Sequence, residues 1–153
     1  VEGVMLQRDV YLSHPSRDFS MTDEALRLRL IKDLDDGRVT SFLTYKGPRI
    51  SPISKSRIEK EVKLQGLEDM KDILIGLGFS EELVIEKKRM VYTLDDISAC
   101  VDIVPELGCF LELELMDENM KRGEDRLLDL LGDQNPGEIE RRTYPEMLME
   151  KQV

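Results

Sequence analysis

Hydrophobic and charged residues alternate one by one through much of this chain, which is the period of a β-strand. The clearest stretches are EALRLRLIKD at 24–33 and FLELEL at 110–115, where leucines point to one face and charged residues to the other. DDG at 35–37 is typical of a hairpin turn. Strands are predicted at 4–12, 24–33, 38–47, 56–64, 82–94, 98–104 and 109–116.

Helical spacing replaces this alternation in a few places. Residues 66–79 repeat apolar positions about every 3.6 residues, and Gly78 stands where a helix would end. A second helix is predicted at about 118–131, and Thr143 and Glu146 form a capping-box pattern near the C-terminus. Six or seven strands with short turns and two helices indicate an α+β fold, either an antiparallel sheet or a barrel, with helices packed outside.

Composition limits the class of protein. The chain has 153 residues, 41% of them hydrophobic and 35% charged, which indicates one globular domain. No apolar run reaches the roughly 20 residues of a membrane span, and a net charge of −10 argues against binding to nucleic acid or to an anionic membrane. Cys100 and Cys109 are expected to be buried free thiols, and the protein is expected to be cytoplasmic.

The charged faces of the strands are segregated by sign. The pairs are Arg27 with Arg29, Lys87 with Arg89, and Glu112 with Glu114. Residues 27–63 hold ten Lys or Arg and five Asp or Glu, whereas residues 100–153 hold six and fourteen. In an ordinary sheet the charged face is simply solvated. If the helices cover the aliphatic faces, however, the charges point inward, where cations could hold phosphates and carboxylates could hold Mg²⁺ or Mn²⁺.

Five segments resemble, in order, strands of the CYTH superfamily of triphosphate tunnel metalloenzymes, closest to its class IV adenylyl cyclase-like branch. They are TDEALRLR (22–29), YKGPR (45–49), SRIEKE (56–61), KKRMVY (87–92) and CVDIVPELGCFLELE (100–114). The resemblance implies a closed or nearly closed antiparallel β-barrel, a tunnel of eight strands with helices outside. It also implies that triphosphates bind inside with a divalent metal.

Carried over position by position, the resemblance implies two sets of site residues. Phosphate would be bound by Arg27, Arg29, Lys46, Lys87 and Arg89, with Arg49 and Arg57 as weaker assignments. Mg²⁺ or Mn²⁺ would be bound by Glu112, Glu114 and Asp102. No catalytic residue is assigned. Glu59 and Glu61 are expected to pair with Arg57, Lys63 or the inward-facing arginines.

The chain departs from the family at its start. The family's first strand reads Glu-x-Glu-x-Lys, whereas VEGVMLQRDVYL at 1–12 resembles the strand after it. We therefore expect a single CYTH-like domain over residues 1–153 that lacks its N-terminal first strand. If the strand is truly absent, the tunnel is open; if it was trimmed, the native site is complete, and a start at Val1 instead of Met favours trimming.

Three functions remain open at this stage. The first is an adenylyl cyclase of the class IV type, which converts ATP to cyclic AMP and pyrophosphate. The second is an inorganic or organic triphosphatase, and the third is a non-catalytic binder of nucleotide or polyphosphate. The expected partner is a nucleoside triphosphate or polyphosphate, and the chain is expected to be a monomer or homodimer. No Gly-x-x-x-x-Gly-Lys-Ser/Thr loop is present, which excludes a P-loop NTPase.

Overall fold

The structure is a computed structural model that describes residues 2–50, 57–94, 97–115, 140 and 142–151. The strands are β1 (Gly3–Ser13), β2 (Ala25–Asp33), β3 (Val39–Arg49), β4 (Arg57–Leu64), β5 (Ser80–Leu94), β6 (Ile97–Val104) and β7 (Gly108–Leu115). The helices of these residues are α1 (Phe19–Thr22), α2 (Leu67–Gly76) and α3 (Tyr144–Lys151). The helix predicted at 118–131 lies outside the described residues.

All seven strands form one antiparallel sheet in the order β4-β3-β2-β1-β5-β6-β7. The α+β class and the antiparallel sheet are therefore confirmed. A closed barrel is not confirmed, because closure requires the two edge strands to pair, and β4 and β7 each have one paired neighbour in the described sheet. Alternation predicts the faces of each strand but not which strands meet at the ends of a sheet.

The apolar face of the sheet packs against α2. Val10, Leu12 and Leu28 from the two central strands form a buried cluster with Leu74 of α2. Helix α2 ends where the sequence predicts, because Gly78 adopts φ +97°, a conformation that favours glycine. The prediction that a helix covers the aliphatic face is thus confirmed for α2.

The opposite face, which we call the charged face, carries charged side chains from each of the seven strands. By strand register its members are Gln7, Asp9 and Tyr11 of β1, Arg27 and Arg29 of β2, Thr44 and Lys46 of β3, Glu59 and Glu61 of β4, Lys87 and Arg89 of β5, Asp102 of β6, and Glu112 and Glu114 of β7. Two-residue periodicity and continuous register keep them on one side.

Helix α3 lies on the charged face, so the prediction that the helices pack outside is wrong for this one. Its Leu148 forms a second buried cluster with Ile85 of β5 and Val104 of β6. By strand register these two residues lie on the charged face. The predicted capping box is confirmed: the Thr143 backbone N–H donates to Glu146 Oε2 at 2.5 Å, and the Glu146 N–H donates to Thr143 Oγ1 at 3.4 Å. Helix α3 packs on this face because Ile85 and Val104 form an apolar patch at one end of it.

Three smaller findings complete the comparison. Between the predicted strands 4–12 and 24–33 the polar sequence predicts a loop, but Asp18 accepts the backbone N–H groups of Ser20 and Met21 and thereby starts the four-residue helix α1. Both cysteines are free, as predicted, although Cys109 is exposed and only Cys100 is buried. In the part of the chain that the structure describes, no helix has the length and apolar character needed to cross a bilayer.

The apolar face is expected to supply most of the stability of this sheet. Leu28→Ala should lower the free energy of unfolding by about 2–5 kcal/mol, because it opens a cavity in the cluster under α2. Val62→Ala, on an edge-strand side chain that is 59% exposed, is the control and should change it by no more than about 0.5 kcal/mol. Urea unfolding of both variants measures this, and equal effects would contradict the assignment of the core.

Candidate functional site

The centre of the charged face is an ion pair between β1 and β2. Arg29 Nε donates to Asp9 Oδ1 and Arg29 Nη2 to Asp9 Oδ2, each at 2.6 Å. Burial alone would raise the pKa of Asp9, but the hydrogen bonds and charges of Arg29 and Arg27 outweigh it and hold that pKa below its ordinary value. Asp9 therefore stays ionised and fixes the orientation of the Arg29 guanidinium.

Arg27 is the least satisfied cation of the face. Its side chain is 7% exposed, and its Nε has no hydrogen-bond partner. Among the described residues, the carboxylates that it pairs with, Asp9 and Glu61, both lie 3.9 Å away, and Thr44 accepts a long bond of 3.3 Å. A buried guanidinium whose partners are this distant is free to receive further acceptors.

Lys46 extends the row of cations toward β4. Its Nζ donates to Glu59 Oε1 at 2.6 Å, and Glu61 accepts a hydrogen bond from Thr44 at 2.8 Å. The predicted pairing with an arginine is seen for Glu61, which lies 3.9 Å from Arg27, whereas Glu59 pairs with Lys46 instead of the expected partners. The pKa of Lys46 is lowered, first by burial and then by the charge of Arg27, although the contact with Glu59 opposes the shift.

On the other side of β1, Lys87 and Arg89 converge on Asp102. Lys87 Nζ lies 2.6 Å from Asp102 Oδ2, and Arg89 binds both oxygens of the same carboxylate at 2.6 Å. Burial and the neighbouring charge of Arg89 lower the pKa of Lys87 despite this ion pair. Asp102, expected from the resemblance as a metal ligand, is 0% exposed and here holds two of the predicted phosphate-binding cations in place.

Glu112 and Glu114 lie on the charged face at the β7 edge, as the alternation in FLELEL predicts. Glu112 contacts Arg89, so one of its oxygens is shared with a cation. In the described part of the chain no three His, Cys, Asp or Glu side chains converge as a metal cage. Mg²⁺ commonly takes only one or two protein carboxylates and completes its shell with water and substrate phosphates. The two glutamates fit such a site in donor type.

Arg49 and Arg57 stand apart from the central row. Both contact Asp23, which follows α1 and precedes β2: Arg49 Nε donates to Asp23 Oδ2 at 3.0 Å, and Arg57 Nη1 donates to the Asp23 backbone oxygen at 3.4 Å. Arg49 also donates to Glu146 of α3 at 2.9 Å. The structure thus brings eight of the ten predicted residues together on one face and places these two at its border.

Sequence reasoning missed Tyr144 of α3. Its hydroxyl donates to Asp102 Oδ2 at 2.9 Å, and Lys87 Nζ lies 4.8 Å from the centre of its ring. No pattern in the sequence places a C-terminal tyrosine against a strand 42 positions earlier. Asp9 and Gln7 were also missed, although the alternation in QRDVY at 7–11 put them on one strand face and required only the register to reveal their neighbours.

The Asp9–Arg29 pair predicts a specific dependence of stability on pH. At pH 7, Asp9→Asn should lower the free energy of unfolding by about 3–5 kcal/mol, because Arg29 is left buried without its carboxylate. The folded pKa of Asp9 is lowered, so its contribution is complete above the unfolded value of about 3.9 and is lost as the pH falls through the folded pKa. The difference in the free energy of unfolding between wild type and Asp9→Asn should therefore become smaller below about pH 4.

Urea unfolding at pH 7, 5, 4 and 3 measures that gap. Asp36→Asn is the matched control, since it removes an exposed partner of Arg38 and should cost less than about 1 kcal/mol. A difference between wild type and Asp9→Asn that stays constant down to pH 3 would show that the pair contributes no pH-linked stability.

Comparison with known proteins gives one family. Residues 1–144 match the sequence model of the CYTH domain. A protein of Methanocaldococcus jannaschii named "Putative adenylate cyclase MJ0240" is 46% identical over 125 residues, which is 80% of this chain and 66% of that protein, just under two thirds of its length.

Solved structures give the same result. The PH1819 protein of Pyrococcus horikoshii has a TM-score of 0.91 at 37% identity, with 97% of this chain and 86% of that chain covered. A Hippeastrum protein with a dominant triphosphatase activity, named "Putative adenylyl cyclase HpAC1", shares the fold, with a TM-score of 0.67 at 15% identity over 98% and 84% of the two chains. From the domain match and these relatives, the chain belongs to the CYTH family.

Proposed function

We propose that the charged face binds the phosphates of a nucleoside triphosphate or polyphosphate together with Mg²⁺ or Mn²⁺. The observation that carries this proposal is the buried Arg27 guanidinium, whose Nε has no partner and whose ion-pair carboxylates lie 3.9 Å away. The proposed phosphate-binding residues are Arg27, Arg29, Lys46, Lys87 and Arg89 on the face, and Arg49 and Arg57 at its border.

The electrostatics of the face suit an anion of several charges. Lys46 and Lys87 both have a lowered pKa, in part because neighbouring arginines repel their charge. A phosphate bound between these cations would relieve that repulsion while leaving Asp9 and Asp102 to hold Arg29 and Arg89 in position. Guanidinium groups bind phosphate oxygens through two parallel hydrogen bonds, so orientation by carboxylates prepares the site in advance.

The metal is proposed to bind at the β7 edge, through Glu112 and Glu114. When bound, a divalent cation would neutralise phosphate charge and act as a Lewis acid. Asp102 is proposed mainly to position Lys87 and Arg89, because its two oxygens already accept from both of them. A single CYTH domain over residues 1–153 is proposed to carry both the phosphate-binding and the metal-binding residues.

The reaction that we propose is that of a class IV adenylyl cyclase. The 3′-oxygen of ATP forms a bond to the α-phosphorus, and the bond from that phosphorus to the bridging oxygen of the β-phosphate breaks. Pyrophosphate leaves with the electron pair of that bond, and the proton of the 3′-hydroxyl passes to water. The cations of the charged face stabilise the charge that develops on the leaving group. The 46% identity to a protein bearing an adenylate cyclase name supports this choice.

A triphosphatase is the second candidate, because the same cations serve when water is the nucleophile. The Hippeastrum protein supports it only as an example of the fold with such an activity. A binder without catalysis is the third. These candidates differ in their products, which makes them separable by one experiment.

Phosphorus NMR of the full-length protein with ATP, and separately with tripolyphosphate, each with Mg²⁺ or Mn²⁺, is expected to show pyrophosphate and cyclic AMP from ATP. Glu112→Gln should reduce turnover by about 10–100-fold, because it removes a proposed metal carboxylate. Glu106→Gln, an exposed residue of the β6–β7 turn, is the control and should be active.

Each other outcome selects another candidate. Orthophosphate from either substrate would replace the cyclase by a triphosphatase. If the spectra do not change but calorimetry shows that triphosphate binds, the protein is a binder without catalysis. If calorimetry shows no binding, the proposed site is contradicted.

A further inference from the structure

Two buried polar atoms of the described side chains have no hydrogen-bond partner, namely Gln7 Oε1 and Arg27 Nε. Both belong to the charged face. Arg27 lies opposite Tyr11 on β1, four residues from Gln7 along the same strand, which is a distance of about 13 Å. Buried atoms of this kind lower stability and are uncommon in folded proteins, so each calls for an explanation.

Gln7 is surrounded by cations that do not bind it. It is 4% exposed and lies opposite Lys87 on β5, with Arg29 and Arg89 at the next positions on the same face of the neighbouring strands. Those side chains donate to Asp9 and Asp102 instead. The carboxamide nitrogen of Gln7 donates only to Met5 Sδ at 3.2 Å, and sulfur is a weak acceptor.

The position of β1 limits how anything can reach Gln7. This strand is the central one of seven and is paired on both sides, so the carboxamide can be approached only from the charged face. A ligand held by Arg27 and Arg29 lies on that face. If it carries an organic group in addition to its phosphates, it is long enough to extend toward Gln7.

The two unpaired atoms require opposite chemistry. Arg27 Nε is a donor and suits a phosphate oxygen. While its Nε2 donates to Met5 Sδ, Gln7 presents Oε1, an acceptor, to the charged face, and an ionised phosphate chain offers only acceptors, so it cannot satisfy this atom. A hydroxyl or amino group can. One ligand that satisfies both atoms has anionic oxygens at one end and a hydrogen-bond donor at the other.

We propose that Gln7 selects an organic triphosphate that carries a hydroxyl or amino donor over inorganic tripolyphosphate. This inference rests on the proposed function and narrows its substrate class. It also explains the unpaired atom, because a group kept for a ligand is left without a partner when the ligand is absent.

Gln7→Met separates this role from a structural one, since methionine has a similar shape and no amide. Calorimetric titration with ATP and with sodium tripolyphosphate, each with Mg²⁺, should show ATP affinity reduced about ten-fold and tripolyphosphate affinity unchanged. Removal of an unpaired buried amide should leave the Tm of the ligand-free protein equal or raise it. Arg27→Gln is the comparison variant and should weaken both ligands.

The outcomes distinguish this inference from the proposed function. If the wild type binds neither ligand, the proposed function fails. If the wild type binds tripolyphosphate and Gln7→Met weakens both ligands equally, or neither, selection by Gln7 is overturned while the triphosphate site stands. Gln7→Leu, which also lacks the amide, gives the same comparison if the methionine variant does not fold.

Discussion

The structure depends on how one sheet face accommodates buried arginine and lysine side chains. A buried cation is costly without a partner, and the face supplies carboxylates from strands next to the cations. Asp9 of the central strand β1 binds Arg29 of β2 on one side, and Asp102 of β6 binds Lys87 and Arg89 of β5 on the other. Arg27, which lies two residues before Arg29 on the same face of β2, receives much weaker support, so an added anion would stabilise this cation most.

The two faces of the sheet therefore have different tasks. Val10, Leu12 and Leu28 bury apolar area under α2 and stabilise the fold, while the residues that alternate with them carry charge. Helix α3 contributes both to packing and to the arrangement of charges, because Leu148 packs on Ile85 while Tyr144 donates to Asp102. The end of the chain thus contributes both to the packing and to the orientation of the cation-binding carboxylate.

Much of this arrangement was predictable from the sequence, and the reason is periodicity. Alternation in LRLRL and FLELEL places Arg27, Arg29, Glu112 and Glu114 on the faces where the structure has them. The partners of these residues were not predictable, because strand order and register are non-local: Asp9 meets Arg29 only through pairing across 20 positions. Whether the sheet closes and which of its faces α3 packs against also depend on such non-local contacts, which no local pattern encodes.

The central claim is that a triphosphate binds at the unsatisfied arginine of the charged face. NMR of arginine Nε–H groups in the full-length protein, titrated with tripolyphosphate and Mg²⁺, tests it most directly, with the Arg27 signal assigned from Arg27→Lys. The account predicts that the Arg27 signal moves as its buried Nε gains an acceptor, while that of exposed Arg38 does not. An unchanged Arg27 signal at a concentration where the ligand is bound would contradict the account.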